Sequence, residues 1–280
     1  MLMYFIQSVE KLKVLIKANN NIAFVPTMGN LHNGHLSLVE KAKSLSGDIL
    51  VSIFINPSQF NSQEDFNAYP KTLDQDILLL EPFFDDRFIV FTPKEDEILS
   101  HKTGTQYNLP QAADDLCGKY RPGHFDGVIQ IIDIFFDLIK PRYSVFGKKD
   151  YQQLFLIKDF AKIKYPNIKI ISQDTIRSSE SLALSSRNGL LGLKHLSQAT
   201  ELNFALQELV EMVKLDRDHE NAALKIKSLL NKSGWEVEYV AIRRRFDLKE
   251  ATGDDKLLVA LVAARLNNVR LIDNIEFCID

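Results

Sequence analysis

The amino-acid sequence predicts an α/β fold: a Rossmann-like parallel sheet with helices on both faces, followed by a smaller α+β domain with an antiparallel sheet. In the first 175 residues, short apolar runs alternate with helical segments, which is the pattern of consecutive βαβ units. The run DILVSIFIN (48–56) is almost entirely apolar, as expected of a parallel strand that helices cover on both faces. After about residue 176 the alternation ends, and helical segments lead into three strand-like runs close together.

The first strands and helices follow from the order of apolar runs. IAFVPT (22–27) predicts a short buried strand, and a glycine-containing turn then leads into a helix through LSLVEKAKSL (36–45). The second strand, at 48–56, is followed by a helix over 72–80. RFIVFT (87–92) predicts the third strand.

The next part of the chain is dominated by one long apolar segment. HFDGVIQIIDIFFDLIK (124–140) is apolar on almost every side and stops at Pro141, so we expect a buried helix that could lie at a subunit contact. A strand at YSVFG (143–147), a helix at KDYQQLFLIKDFAK (149–162) and a strand at IKIIS (168–172) complete the parallel sheet.

A second domain is indicated by the change of pattern beyond residue 175. The polar stretch RSSESLALSSRNG (177–189) leads into helical segments over about 195–231. The strand-like runs WEVEYVAIR, KLLVALVAAR and VRLIDNI then predict an antiparallel sheet on which those helices pack. We therefore place the domains at 1–175 and 176–280.

Composition and charge exclude several functional classes. The 280 residues carry a net charge of −3, so no basic excess marks a nucleic-acid or anionic-membrane binder. Cys117 and Cys278 lie far apart and form no Cys-x-x-Cys motif, which fits a reducing cytoplasm. The apolar start MLMYFI is too short for a secretory leader, and no apolar run approaches the ~20 residues that span a bilayer. We expect a cytoplasmic protein without nucleic-acid or membrane partners.

The stretch PTMGNLHNGHLSL (26–38) places a turn and a helix start directly after a buried strand. Ligands of open α/β sheets bind at the carboxyl ends of strands, and the first turn of a helix offers unpaired N–H groups that bind phosphate. Gly29 and Gly34 allow close approach of the backbone, and His32 and His35 add imidazole N–H donors. The stretch therefore predicts a site that stabilises charge on a nucleotide α-phosphate.

Two other interpretations of His32 and His35 stay open at this point. A His-x-x-His pair can bind zinc, although no third ligand is evident nearby, and two surface histidines can simply lie at a helix cap. The stretch is neither a G-x-G-x-x-G fingerprint nor a Walker A loop, since no Gly-Lys-Ser/Thr is present.

Five motifs together resemble a known family. A strand followed by His-x-Gly-His at a helix start is similar to the nucleotidylyltransferase superfamily, which includes class I aminoacyl-tRNA synthetases. IFINPSQF (53–60), HFDGV (124–128), FGKKDYQQL (146–154) and LALSSRN (182–188) follow it. In this order and spacing, the motifs resemble the pantothenate synthetase family, the AMP-forming pantoate–β-alanine ligases, over most of residues 20–190.

The resemblance implies an activity, a cofactor and partners. Members condense (R)-pantoate with β-alanine through a pantoyl adenylate, releasing AMP and pyrophosphate, in the biosynthesis of the coenzyme A precursor. It implies ATP as co-substrate with Mg²⁺, a homodimer, and a division of labour in which residues 1–175 bind nucleotide and pantoate while 176–280 form a movable cover.

The resemblance also assigns the nucleotide site to three segments. Without it, Lys148–Asp150 is a capped surface helix start and Ser185–Arg187 a serine-rich linker, although the neighbouring Leu182 and Leu184 disfavour full exposure. The residues implied to stabilise charge are His32, His35, Lys149, Ser185, Ser186 and Arg187. The implied ATP-binding residues are Met28, Gly29, Asn30, Leu31, His32, Asn33, Gly34, His35, Gly147, Lys148, Lys149, Asp150, Ile176, Leu184, Ser185, Ser186 and Arg187.

Amide and apolar side chains are the implied ligands of pantoate. Asn56 and Gln59 follow a strand end and bind oxygens without adding charge, although Asn-Pro-Ser is also common in turns. Gln153 lies one turn after Lys149. Ile131 and Ile132 complete the implied pocket, although their apolar helix makes them core residues by default. In members of the family the glutamine at position 59 also serves β-alanine.

Four positions depart from the family pattern and leave affinity and loop motion open. Asn30 replaces a usual alanine, Ser181 a common glycine, and Lys71 an arginine, while Cys117 lies where some members carry a glutamate. Two rival functions also remain: another nucleotidylyltransferase, which shares the histidine turn but gives no reason for NPSQF and KDYQQ, and a non-catalytic nucleotide-binding module.

Overall fold

Two sheets, one parallel and one antiparallel, organise the chain in the computed structural model, which describes residues 3–17, 21–45, 47–101, 103 and 107–279. The larger sheet has six strands in the order β1-β4-β3-β2-β5-β6, and all its neighbouring strands run parallel. The predicted fold class is confirmed. The strands are β1 (Tyr4–Ile6), β2 (Ile22–Thr27), β3 (Asp48–Ile53), β4 (Phe88–Phe91), β5 (Tyr143–Gly147) and β6 (Lys169–Gln173).

The strand order reverses between β2 and β5, which lie side by side in the sheet although β3 and β4 come between them in sequence. The loops that leave these two strands diverge to opposite faces and open a crevice at their carboxyl ends. Any ligand of this sheet is therefore expected directly after Thr27 and Gly147.

Five of the six parallel strands are those that the sequence predicts, and β1 is the one that sequence analysis missed. It has only three residues and lies at an edge of the sheet, where Tyr4 and Phe5 are exposed. A strand this short shows no alternation of apolar and polar residues, so the pattern gave no signal.

Helices cover both faces of the parallel sheet. Phe24 and Leu50 pack on the face that contains α7, while Val25 and Val51 pack on the opposite face, against α2. The helices of this part are α1 (Val9–Ile16), α2 (Asn33–Lys43), α3 (Gln63–Ala68), α4 (Leu73–Leu80), α5 (Glu95–Leu99), α6 (Cys117–Tyr120), α7 (His124–Ile139) and α8 (Tyr151–Lys164).

Helix α7 is buried by its own chain. Of its sixteen residues only Asp126 and Gln130 are exposed, and Phe135 and Phe136 pack against the sheet and α8. The apolar composition of this segment is thus explained by the core of one chain, and α7 offers no apolar face for the subunit contact suggested from the sequence.

The second sheet follows three further helices and is antiparallel throughout, in the order β7-β8-β9. Leu258 and Ala260 of β8 pack with these helices, while Val259 and Leu261 face Tyr151 of α8. The elements are α9 (Leu193–Gln198), α10 (Glu201–Asp216), α11 (His219–Lys232), β7 (Glu236–Arg244), β8 (Leu257–Leu266) and β9 (Val269–Cys278).

The division of the chain into domains at residue 175 stays a prediction, since the two sheets share buried contacts through β8. Among the described helices, none combines the length and the apolar composition that crossing a bilayer requires.

Candidate active site

A cavity of about 220 Å³ lies at the carboxyl ends of β2 and β5, where the strand order reverses. It brings together side chains from both halves of the parallel sheet and from the segment that leads to the second sheet. The predicted residues that line it are Met28, His32, Gly34, His35, Asn56, Gln59, Ile131, Ile132, Gly147, Lys149, Asp150, Gln153, Ile176, Leu184, Ser185, Ser186 and Arg187.

Five predicted residues do not line this cavity: Gly29, Asn30, Leu31, Asn33 and Lys148. Leu31 is buried in the core, and Asn33 is exposed at the start of α2. Gly29 and Asn30 form the turn that carries the histidines.

The turn after β2 is held by a carboxylate from α4. Asp76 accepts the backbone N–H of Asn30 at 3.0 Å and of Leu31 at 2.7 Å, and a Cβ added to Gly29 would lie only 2.9 Å from its Oδ2 atom. Gly29 and Asn30 both have positive φ, at 77° and 49°, so the glycine is required by conformation as well as by space. Asp76 was missed from the sequence because an acid in the first turn of a helix is ordinary.

The two histidines cap helix α2 and face the cavity at the same time. His32 Nδ1 accepts the N–H of Gly34 at 3.1 Å, and His35 Nδ1 accepts the N–H of His32 at 3.3 Å. With Nδ1 acting as acceptor, the proton of each neutral ring is on Nε2. The helix-cap interpretation is thus correct in part, but the rings line a cavity instead of standing in solvent.

Burial keeps both imidazoles neutral. It lowers the pKa of His32 to about 4, with the charge of Lys149 acting in the same direction. It lowers the pKa of His35 to about 3, with His32 as the next cause. At neutral pH each ring therefore presents an uncharged Nε2–H donor, beside the positive end of α2.

The turn after β5 directs the side chains of two adjacent lysines to different surroundings. Lys149 lines the cavity, whereas Lys148 points toward the second sheet, with Nζ 2.8 Å from both Asp174 and Glu276. Asp150 also lines the cavity; burial alone would raise its pKa, but its charged neighbours, of which Lys149 and then Arg187 act most strongly, lower it overall. Asp150 is therefore ionised at neutral pH.

Strand β9 of the second sheet forms hydrogen bonds to the two segments that carry Lys149 and Ser185. The Asn274 side-chain amide donates to the backbone carbonyls of Lys148 at 3.0 Å and Lys149 at 2.9 Å. Asp273 accepts two hydrogen bonds from Arg177, at 2.7 and 2.8 Å, just before the serine loop. Neither residue could be recognised from sequence, because the pairing depends on how the two sheets meet.

The serine loop is anchored and is not a free linker. Ser186 Oγ donates to the Asn30 carbonyl at 3.0 Å, and Asn30 Nδ2 donates to the Ser186 carbonyl at 3.2 Å. Leu184 donates its N–H to the Ile176 carbonyl at 2.9 Å. Ser185, Ser186 and Arg187 are thereby held at the cavity, next to the histidine turn.

The predicted amide residues form one connected group. Asn56 Nδ2 donates to Gln59 Oε1 at 3.1 Å and to the carbonyl of Gly127 in α7 at 2.9 Å. A Cβ added to Gly127 would lie 2.2 Å from the Ser58 carbonyl oxygen, so only glycine lets α7 approach this turn. This close approach also brings Ile131 of α7 to the cavity wall.

A further pair, Arg121 and His124, holds Gln59 by hydrogen bonds to its backbone carbonyl. The Gln59 carbonyl accepts His124 Nδ1–H at 2.7 Å and Arg121 Nη2–H at 3.1 Å. Burial lowers the pKa of His124 to about 3, helped by Arg121, so its Nε2 is free to accept from Arg121 at 2.9 Å. The HFDGV motif is visible in the sequence, but the pattern gives no role to Arg121 or His124.

The zinc interpretation of the histidine pair finds no third ligand. Within the described residues, no group of three or more His, Cys, Asp or Glu side chains is placed to hold a metal ion.

Comparisons with known proteins agree with one another. The family model for pantoate-beta-alanine ligase matches residues 4–276. The pantothenate synthetase of Methylobacillus flagellatus is 41% identical over 280 residues, covering all of both chains, and that of Neisseria meningitidis serogroup A is 41% identical over 277 residues, covering 98% of this chain and 99% of the relative.

Solved structures give the same result. The pantothenate synthetase of Thermus thermophilus superposes with a TM-score of 0.88 at 31% identity, covering 98% of this chain and 99% of the other. A pantoate-beta-alanine ligase from Francisella tularensis, complexed with beta-gamma ATP and beta-alanine, has a TM-score of 0.80 at 32% identity and 98% coverage of both chains.

Proposed function

The chain belongs to the pantoate–β-alanine ligase family, and from that membership we propose that its cavity condenses (R)-pantoate with β-alanine, using ATP. A carboxylate is not attacked by an amine at neutral pH, because oxide is a poor leaving group. ATP provides a better one. The pantoate carboxylate attacks the α-phosphorus, the bond to the bridging oxygen breaks, and pyrophosphate leaves. The amine of β-alanine then forms the C–N bond, loses a proton, and expels AMP with the electron pair of the C–O bond.

One observation carries the proposal: His32, His35 and Lys149 line a single cavity although two different crossovers of the sheet supply them. The first step builds negative charge on the α-phosphate and on the departing pyrophosphate. Two Nε2–H donors, a helix N-terminus and a lysine are groups that stabilise such charge. Ser185, Ser186 and Arg187 also line the cavity and would bind the remaining phosphate oxygens.

The neutral state of the histidines bears on their proposed role. An imidazole with a pKa of about 3 or 4 is a hydrogen-bond donor at neutral pH and is not a store of transferable protons. We therefore assign His32 and His35 to charge stabilisation through Nε2–H. The positive charge at the site comes from Lys149 and Arg187.

The amide group suits the hydroxy acid. Asn56, Gln59 and Gln153 line the cavity beside the apolar Ile131 and Ile132. Pantoate offers hydroxyl and carboxylate oxygens for the amides and methyl groups for the isoleucines. The proposal assigns its binding to this end of the cavity and the binding of ATP to the histidine, lysine and serine segments.

Mg²⁺ belongs to the proposal as an ion bound with ATP. Such ions are held largely by phosphate oxygens and water with one or two carboxylates, and Asp150 is an ionised carboxylate on the cavity wall. One carboxylate together with phosphate oxygens and water is a set of ligands that fits Mg²⁺. When bound, the ion would neutralise charge on the pyrophosphate as it leaves.

The wider setting is also proposed on family membership. We propose a homodimer in the cytoplasm in which the part after residue 175 covers the adenylate, so that water is kept from it. The Francisella relative, described as complexed with beta-gamma ATP and beta-alanine, supports the choice of ATP and β-alanine for this chain.

A reconstitution with omissions tests the proposal. The protein is incubated with ATP, Mg²⁺, (R)-pantoate and β-alanine, and each component is then left out. We expect AMP and pantothenate from the full mixture, and pantoate-dependent ATP–pyrophosphate exchange when only β-alanine is omitted. A product that keeps the nucleotide would identify another nucleotidylyltransferase, and ATP binding without turnover would identify a non-catalytic module.

A further inference from the structure

A small void lies behind Lys149, next to the cavity of the candidate active site. It measures about 10 Å³, which is the space of a single water molecule. Lys149 and Ser185 line both the void and the large cavity, so these two residues form the partition between them. The other polar residues on the wall of the void are Asn188, Asn203 and Asp273, and the remaining wall is apolar.

One oxygen atom on this wall is buried without a partner. Asn188 Nδ2 donates to the Ala183 carbonyl at 3.1 Å, and this bond identifies which end of the amide is nitrogen. Asn188 Oδ1, the other end, is buried and accepts no hydrogen bond from any residue that the structure describes. A buried carbonyl oxygen is costly without a donor, so the void is where a donor for Asn188 belongs.

The other two polar residues on the wall are engaged elsewhere. Asp273 accepts two hydrogen bonds from Arg177, and its oxygens also accept the backbone N–H of Asn274 at 2.7 Å. Asn203 Nδ2 donates to Asp273 at 3.3 Å, and Asn203 Oδ1 accepts from Gln207 at 2.9 Å. Asp273 and Asn203 therefore hold each other, and neither supplies the donor that Asn188 Oδ1 lacks.

Lys149 is fixed at its backbone but not at its ammonium group. Asn274 donates to the Lys149 carbonyl at 2.9 Å, whereas Nζ forms no hydrogen bond or ion pair with another residue in the described ranges. An ammonium group carries three N–H donors on a flexible four-carbon chain. Because Lys149 borders both spaces, it can donate to a phosphate in the cavity and to an acceptor in the void.

We propose that one ordered water molecule occupies the void and joins Lys149 Nζ to Asn188 Oδ1, which makes Asn188 a positioning residue for Lys149. The water donates to Asn188 Oδ1 and accepts from Lys149 Nζ. Ser185 Oγ already accepts the N–H of Arg187 at 3.3 Å, so its hydroxyl proton is a further donor for the water. Three bonds are typical of a buried water, and a cation is disfavoured here because the charge of Lys149 borders the void.

Asn188 would thereby connect the two segments that are proposed to bind phosphate. Its backbone N–H donates to the Ser185 carbonyl at 2.9 Å, so Asn188 belongs to the serine loop. Its side-chain oxygen acts on Lys149 through the water. An ammonium group held from behind loses less freedom when it meets the charge that develops on the α-phosphate. This effect on the rate rests on the proposed function, whereas the water site itself does not.

A crystal structure at a resolution that shows ordered waters tests the site directly. In the wild type we expect one density peak at hydrogen-bond distance, about 2.7–3.2 Å, from both Asn188 Oδ1 and Lys149 Nζ. In Asn188→Leu, which has nearly the shape of asparagine but forms no side-chain hydrogen bond, the peak should be absent. A wild-type void without density, or density that does not contact Lys149, overturns the inference.

The kinetic test uses pantoate-dependent ATP–pyrophosphate exchange by the full-length protein at saturating ATP. We expect Asn188→Leu to lower kcat about tenfold, as for loss of one hydrogen bond to a charged group, and to leave the KM for pantoate within about twofold. Asn188→Asp keeps an oxygen toward the void but loses the donor to Ala183, so its kcat should lie nearer the wild-type value. Asn221→Leu, at an exposed position in the first turn of α11, is the matched control and should be unchanged.

The two variants at position 188 separate positioning of Lys149 from anchoring of the serine loop. If Asn188→Asp and Asn188→Leu lose equal kcat, Asn188 acts only through the Ala183 carbonyl and the positioning role is overturned. An unchanged kcat in Asn188→Leu overturns it as well. Adding Asn188→Leu to Lys149→Ala should cost little further activity, because the positioned group is already gone. If the wild type shows no exchange, the proposed function fails, and the density in the void still decides whether the water is bound.

Discussion

Asn30 and Ser186 exchange hydrogen bonds, each side chain donating to the backbone carbonyl of the other at 3.2 and 3.0 Å. The two residues are 156 positions apart, and their reciprocal bonds join the histidine turn to the serine loop. The pairing gives Asn30 a structural role, which is to hold the serine loop against the histidine turn. An alanine at this position would leave the Ser186 carbonyl without this donor.

We predict that Asn30→Ala loosens the serine loop and raises the KM for ATP several-fold, with a smaller change in kcat. The lost side-chain hydrogen bond, at about 1 kcal/mol, corresponds to such an effect. Asn30 has a φ of 49°, so alanine also strains the turn. Asn30→Gly removes the side chain without the strain and serves as the control. If Asn30→Gly has the wild-type KM for ATP, the bond to Ser186 does not matter and strain explains the alanine variant.

Loss of a charge-stabilising group should slow the first step. We predict that His35→Ala and Lys149→Ala each reduce pantoate-dependent ATP–pyrophosphate exchange by about 10²–10³-fold, the usual effect of removing one donor from developing charge. Lys162→Ala, at the exposed end of α8, is the control for general loss of a lysine. Circular dichroism should show that both site variants remain folded. Near-normal exchange in both would refute the assignments of His35 and Lys149.

The buried histidines should make the fold sensitive to acid. His32, His35 and His124 have pKa values lowered by burial from 6.5 to about 4, 3 and 3. Below pH 6.5 the unfolded chain therefore binds protons that the folded chain rejects, so this stability is present above pH 6.5 and is lost as the pH falls toward 4 for His32 and toward 3 for His35 and His124. Each histidine contributes a slope of about 1.4 kcal/mol per pH unit in that range.

Denaturant unfolding at several pH values measures this slope. His124→Asn keeps a donor for the Gln59 carbonyl but cannot titrate, so the dependence of its unfolding free energy on pH between 6 and 4.5 should be shallower by about 1.4 kcal/mol per unit. An unchanged slope in this variant would show that His124 binds protons equally well in the folded and unfolded chains.

Local patterns predicted much of the fold and the content of the site, and contacts between distant segments account for the rest. The strand before His32, the glycine turn and the strand before Lys149 could each be predicted from a short run of neighbouring residues. Asp76 and Asn274 were not predictable, because each acts on a backbone segment that only the folded chain brings near. Lys148 and Lys149 are adjacent in sequence, but in the folded chain Lys148 is ion-paired with Asp174 and Glu276 while Lys149 lines the cavity.

Strand β9 positions Lys149 through the backbone, and this leads to a prediction about the second sheet. Asn274 is buried and donates to the carbonyls of Lys148 and Lys149, so its removal frees the turn after β5 without touching the lysine side chain. We predict that Asn274→Ala lowers the rate of pyrophosphate exchange about tenfold while the cavity keeps its side chains. If the part after residue 175 moves as a cover over the adenylate, the hydrogen bonds of Asn274 to the turn after β5 join that cover to the parallel sheet. The same variant therefore also tests whether this contact affects closure.

Double-mutant cycles separate positioning from general destabilisation. If Asn274 acts by holding Lys149, then adding Asn274→Ala to Lys149→Ala should cost little further exchange activity, because the group it positions is already gone. Adding it to His35→Ala should instead give nearly the product of the two single effects, since His35 is held by α2 and the turn after β2. Equal, multiplicative losses in both cycles would show that Asn274 supports the fold as a whole and does not act on Lys149.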